Sequence, residues 1–131
     1  LGGIHAALKF VQTGKVFVLG CDIPLMTREV IRTIVEYPSE DPVVIARADG
    51  YLQPMCGLYD TRISATIERL IGERNAEGRK KSCGLLELTR SAPTTIIPIK
   101  EIFPAYQPGT FFNMNRPEEY REIVRLLGTG E

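Results

Sequence analysis

The sequence predicts an α/β domain with a largely parallel sheet and helices on both faces. Three observations predict it. The run "VFVLG", residues 16–20, is apolar without a break, as in a strand covered on both sides. Further strand-like runs alternate with segments whose apolar residues recur at helical spacing. Gly, Pro and Asp mark the joins, with no repeat, low-complexity tract or interdomain linker. At 131 residues the chain suits one domain, residues 1–131; a domain of this size buries roughly two-thirds of the surface its unfolded chain exposes.

Taken in order, "LGGIHAALKFVQ" reads as a loop entering a helix, with Ile4, Ala7, Leu8 and Val11 at helical spacing. After the 16–20 strand, residues 27–37 place Val30, Ile31, Ile34 and Val35 on one helical stripe, with Thr27 as N-cap and Glu29 in the first turn. "YPSEDP" is a turn. Residues 43–49 form a strand, Asp49-Gly50 a turn, and residues 54–60 the returning strand. Residues 61–72 form an amphipathic helix that Gly72 stops. "ERNAEGRKKS" is a polar loop, and Ser82 caps a short helix after it. Residues 94–99 form a strand that Pro98 confines to an edge or a strand end. "EIFPAYQPGT" is irregular, "FFNMN" (111–115) a short strand, and 117–127 a closing helix that ends at Gly128.

Composition excludes several classes. Lys+Arg 16 against Asp+Glu 16 leaves no basic excess for nucleic acid and no polybasic run for a membrane surface. No apolar stretch reaches the ~20 residues of a membrane span. The first residues lack a basic segment and a cleavage pattern, so no signal peptide is read. Cys21, Cys56 and Cys83 are scattered and unpaired in sequence, which fits a reducing cytoplasm and neither a disulfide frame nor a zinc site. The single His5 cannot build a histidine metal site.

Four places can carry chemistry. Asp22 stands beyond the carboxyl end of the 16–20 strand, where open α/β sheets bind ligands. Pro24 holds Ile23 extended and so aims the turn. Mg²⁺ commonly takes only one or two protein carboxylates and completes its shell with water and phosphate, so Asp22 suffices as an anchor if the substrate brings phosphates; it also reads as a turn former or helix cap. In "FFNMNRPEEY", strand alternation puts Asn113 and Asn115 on one face, two neutral donors suited to a polyanion. Asn115-x-x-Glu118 also resembles a capping box. Gly2-Gly3, opening a helix, lets backbone N–H groups approach an anion or is a plain loop. "GRKKS" (78–82) offers cations to an anionic substrate or is a solvated loop. No nucleophile–histidine arrangement can be drawn.

The order "LGGIHAAL", "LGCDIPLM", "QPMCGLYD", "GRKK", "FFNMNRPEEY" resembles the molybdenum cofactor guanylyltransferase family over nearly the whole chain. The resemblance implies a Rossmann-like sheet of the nucleotide-diphospho-sugar transferase type. It also implies transfer of GMP from GTP to molybdopterin, with Mg²⁺ as cofactor, and transient contact with molybdoenzymes or cofactor-carrier proteins. On that match Asp22 binds Mg²⁺ and nucleotide, Gly3 belongs to the nucleotide loop, and Asn113 and Asn115 lie at the active site. Arg79 and Lys80 fall on the pterin side. The family's preceding strand and L-A-G-G loop are not seen, so the chain reads as N-terminally truncated, inactive alone, with residues 16–19 as an apolar edge in need of cover. Arg116 replaces the family's Thr, which leaves Asn115 to cap the last helix. The same residues fit a cobalamin-route guanylyltransferase, a molybdopterin cytidylyltransferase, or a non-catalytic remnant that serves as a binding module.

Overall fold

A computed structural model describes residues 1–76 and 84–128, without the side chain of Leu126. Helix α1 (Gly2–Phe10) leads into strand β1 (Lys15–Leu19), and α2 (Arg28–Val35) into β2 (Val43–Ala48). Strand β3 (Tyr51–Asp60) returns through a 3₁₀ turn (Thr61–Ile63) into α3 (Ser64–Ala76). Then come α4 (Gly84–Ser91), β4 (Thr94–Pro98), the one-turn α5 (Ile99–Ile102) and α6 (Pro117–Gly128). Thr27 caps α2 as its sequence position predicts, its side chain accepting from the Val30 N–H at 3.4 Å.

The four strands lie in the order β1-β3-β2-β4. The pairings correct the expectation of a largely parallel sheet: β1/β3 and β2/β3 are antiparallel, and only β2/β4 is parallel. The cause is the turn. Asp49 (φ 51°) and Gly50 (φ 85°) both adopt positive φ, the conformation of a two-residue hairpin whose twist matches paired antiparallel strands. The chain therefore folds β3 straight back onto β2, and β1 adds to its far side. β1, β2 and β4 still run the same way, so their carboxyl ends share one end of the sheet.

β3 starts earlier than the sequence predicts because it bulges. Ile45 pairs with Gly57, but Ala46 pairs with Gln53, so Pro54, Met55 and Cys56 have no partner on β2. Pro54 lacks an N–H and is tolerated where the ladder is interrupted. The buried Tyr59 hydroxyl donates to the Pro54 carbonyl freed there.

Side chains along β2 alternate between two cores. Val44, Ala46 and Ala48 pack with Ile23, Val30, Ile34, Ile97 and Phe111. Val43 and Ile45 pack on the other face with Ile4, Leu8, Ile67, Leu70 and Leu88. Helices thus cover both faces, as predicted.

Three further expectations are corrected. Gly72 does not stop the helix; α3 continues to Ala76, since a glycine in a helix interior costs only about 1 kcal/mol. Residues 111–115 are not a strand: they form no ladder, and their one bond to a remote residue runs to the loop after β1. The stretch read as irregular opens with α5. β4 is an edge strand, as Pro98 predicts, and β1 is the other edge of the described sheet.

Candidate active site

β1 delivers its chain end to the carboxyl end of the sheet, where the Gly20 N–H donates to the Met55 carbonyl at 2.7 Å. That bond pins the loop to the β3 bulge. Asp22 then folds back over Gly20: a Cβ on residue 20 would stand 2.6 Å from Asp22 Oδ1. Glycine at 20 is therefore a condition for this carboxylate position. The next residue, Ile23, is 5% exposed and anchors the loop in the core. Asp22 itself is half-buried, and among the described residues its carboxylate has no hydrogen-bond or ion-pair partner.

The second segment arrives from the far end of the chain. Asp49 in the hairpin turn tethers it, its Oδ2 accepting from the Tyr106 hydroxyl at 2.7 Å and the Gly109 N–H at 3.4 Å. Burial, with the Asp49 carboxylate beside it, pushes the Tyr106 hydroxyl pKa above its ordinary value, so Tyr106 stays a neutral donor. Tyr106 packs against the buried Phe111, ring centroids 6.2 Å apart. Beyond Phe111 the Met114 N–H donates to the Asp22 carbonyl at 2.7 Å. This bond joins the two motifs: the residue between Asn113 and Asn115 is bonded to the residue predicted as metal anchor. Both asparagines are exposed beside it.

The entry to α6 differs from the expected cap. Glu119, rather than Glu118, reaches back, its Oε2 accepting from the Asn115 N–H at 2.7 Å and the Arg116 N–H at 2.8 Å. This is the return half of a capping box, and it makes an Asn115 side-chain cap unnecessary. The Asn115 amide is left available for a ligand.

Gly3 lies in the exposed first turn of α1, and a Cβ there would meet nothing within 4 Å. Helix α1 precedes β1 by a four-residue connection and packs on the face of Ile4 and Leu8. Its N-terminus therefore points toward the end of the sheet that carries Asp22, but no bond links Gly3 to the Asp22 loop among the described residues. Arg79, Lys80 and the Ser82 cap lie outside the described residues, as does Cys83. Cys56 is fully buried, and burial pushes its thiol up to about 12, so it is inert at neutral pH. Cys21 is exposed.

Among the described residues no group of three or more His, Cys, Asp or Glu side chains is placed to hold a metal alone. The residue types fit Mg²⁺: an unpaired carboxylate, and two exposed amides on the segment bonded to its loop, offer hard oxygen atoms, and this ion usually keeps several waters. Sequence reasoning singled out Asp22, Asn113 and Asn115, and the structure joins their two segments by the Met114-to-Asp22 backbone bond. It missed the Gly20 approach and the Asp49–Tyr106 tether; the Asp-Gly pair signalled the turn but not what the turn holds.

Residues 1–85 match the model of the MobA-like NTP transferase domain, a span from α1 into α4 that includes Asp22. A protein of Carboxydothermus hydrogenoformans named "Probable molybdenum cofactor guanylyltransferase" is 25% identical over 100% of this chain and 64% of its own length. A molybdenum cofactor guanylyltransferase of Photobacterium profundum is 27% identical over 97% of this chain and 60% of its own. The chain thus spans under two-thirds of the length of these relatives. Among solved structures, the molybdopterin-guanine dinucleotide biosynthesis protein A of Archaeoglobus fulgidus superposes over 97% of the chain and 62% of its own, with a TM-score of 0.70 at 20% identity, a likeness of fold. Since the matching model covers more than half of the chain, this chain belongs to the MobA-like NTP transferase domain family.

Proposed function

We propose that the chain carries the metal-anchoring part of a guanylyltransferase that moves GMP from GTP to molybdopterin. The observation that supports this most is the Met114-to-Asp22 backbone hydrogen bond, which ties the loop of an unpaired carboxylate to the segment that carries the exposed Asn113 and Asn115. The names of the curated relatives supply the substrates.

In this reading an oxygen of the molybdopterin phosphate attacks the α-phosphorus of GTP. The new P–O bond forms as the bond to the bridging oxygen breaks, and pyrophosphate leaves with that electron pair. The acceptor needs no general base, because a phosphate monoester is largely dianionic at neutral pH. The protein's part is positioning and charge neutralisation. Asp22 would hold Mg²⁺, which supplies positive charge to the phosphates where negative charge builds. Asn113 and Asn115 orient acceptor phosphate or bound water as neutral donors that do not repel it. Gly3 opens a helix whose free N–H groups suit a nucleotide phosphate, and Arg79 and Lys80 serve the pterin side. No helix among the described residues is long and apolar enough to cross a membrane; we place the reaction in the cytoplasm, with molybdoenzymes or carrier proteins as transient partners.

The test is pyrophosphate release by the full-length protein with molybdopterin and either GTP or CTP. Release with GTP, lowered at least ~100-fold by Asp22→Asn as for loss of a key electrostatic group, is expected. Preference for CTP would make it a cytidylyltransferase instead. Asp22→Asn turnover within threefold of the parent at saturating Mg²⁺ would end the metal role.

A further inference from the structure

Arg47, at the end of β2, and Lys100, in α5, line a cleft of about 300 Å³ with Asp49, Gly50, Pro98 and Glu101. This cleft is not part of the Asp22 loop. Its formal charges sum to zero, Arg47 and Lys100 against Asp49 and Glu101, but no ion pair joins them. Asp49 is committed to the Tyr106 hydroxyl and the Gly109 N–H. Neither Arg47 nor Lys100 has a hydrogen bond or ion pair from its side chain to any described residue. Both cations of the cleft are therefore free to turn to an anion, while of its two carboxylates Asp49 is held by the Tyr106 and Gly109 donors. Pro98, in register with Arg47 across the parallel pair, has no N–H to offer, so donors come from the two cations and the turn. At Gly50 a Cβ would meet nothing within 4 Å, and space in front of the turn is open.

We propose that this cleft is an oxyanion subsite, separate from the Asp22 loop, that takes a phosphate-class group through Arg47 and Lys100. The guanidinium fork matches two oxygens of a tetrahedral oxyanion, and the ammonium adds a mobile charge. A volume of about 300 Å³ is at the small end of ligand sites, enough for one such group. β1 and β2 are separated only by β3, about 10 Å at ordinary strand spacing, and their carboxyl ends share one end of the sheet. An anionic group of an extended acceptor, or the pyrophosphate product, can reach the cleft from there.

The test is an amide NMR titration of the ¹⁵N-labelled full-length protein with inorganic phosphate at constant ionic strength, against chloride. A saturable shift at Gly50 with phosphate alone is expected. Arg47→Gln with Lys100→Gln, at an unchanged melting temperature, should raise its midpoint at least ~10-fold, the scale of losing a charge-assisted hydrogen bond. A linear shift shared with chloride, or an unmoved midpoint in the double variant, overturns the proposal. The same variant assayed for transfer assigns the source: a raised acceptor KM means a group on the acceptor, and weaker pyrophosphate inhibition means the product. Phosphate binding whose loss moves neither constant means an adventitious ion only and also overturns the subsite. A protein that binds phosphate in the cleft but transfers no nucleotide refutes the transferase reading and leaves the subsite standing.

Discussion

The Asp22 carboxylate owes its position to an atom that is missing from its neighbour. Oδ1 occupies the space a residue-20 side chain would need, so Gly20→Ala must displace the carboxylate or the Met55 bond behind it. We expect the full-length Gly20→Ala protein to keep its fold, with a melting temperature within a few degrees of the parent, a shift that corresponds to about 1 kcal/mol. Its turnover should fall at least ~10-fold, since a displacement near 1 Å at a reacting centre is that costly. Parental turnover would show that the Asp22 position is not what matters. The aspartate was legible in the sequence because a lone charge follows an apolar strand and precedes Ile-Pro. The glycine was not, because a Gly after a strand reads as a generic turn signal until the atom facing it is known.

At the scale of elements, periodicity marked where strands and helices lie but not who pairs with whom. The 43–49 and 54–60 runs both read as strands, and Asp49-Gly50 as a turn. Its two positive φ values decide that the return is a hairpin, and hence that β3 enters between β1 and β2. "FFNMN" failed as a strand for a related reason: its composition suits a ladder, but its partner is a single carbonyl in a loop. Asp60 shows a terminus that electrostatics can test. Burial opposes its ionisation, but the Arg62 N–H at 2.8 Å and guanidinium at 3.1 Å outweigh this and hold its carboxyl below the usual range. A lowered folded-state value means stability that is present above the unfolded value, near 3.9, and lost as pH falls through the folded one. Asp60→Ala should therefore cost about 1 kcal/mol at pH 7, the usual worth of such a cap. The gap should shrink below pH 4; denaturant melts across pH 2–7 check both, and a pH-independent gap would contradict the charge argument.

Across the whole molecule, the sheet brings together residues some ninety positions apart in sequence. β1, β2 and β4 end on one side, and the Asp49 tether returns the 99–115 excursion to that side. The resemblance in the sequence implied that Asn113 and Asn115 lie at the active site. That their segment meets the Asp22 loop was not in the local pattern, because it depends on Tyr106 and Phe111 packing into a core shared with Ile23. In the proposed function the Asp22 loop and the 113–115 segment are one site. The most direct measurement is a double-mutant cycle on kcat/KM for GMP transfer by the full-length protein, with Asp22→Asn and Asn113→Ala. One site predicts strong non-additivity, a coupling energy of about 1 kcal/mol or more; losses that add to within about 0.5 kcal/mol, as for independent positions, would contradict it.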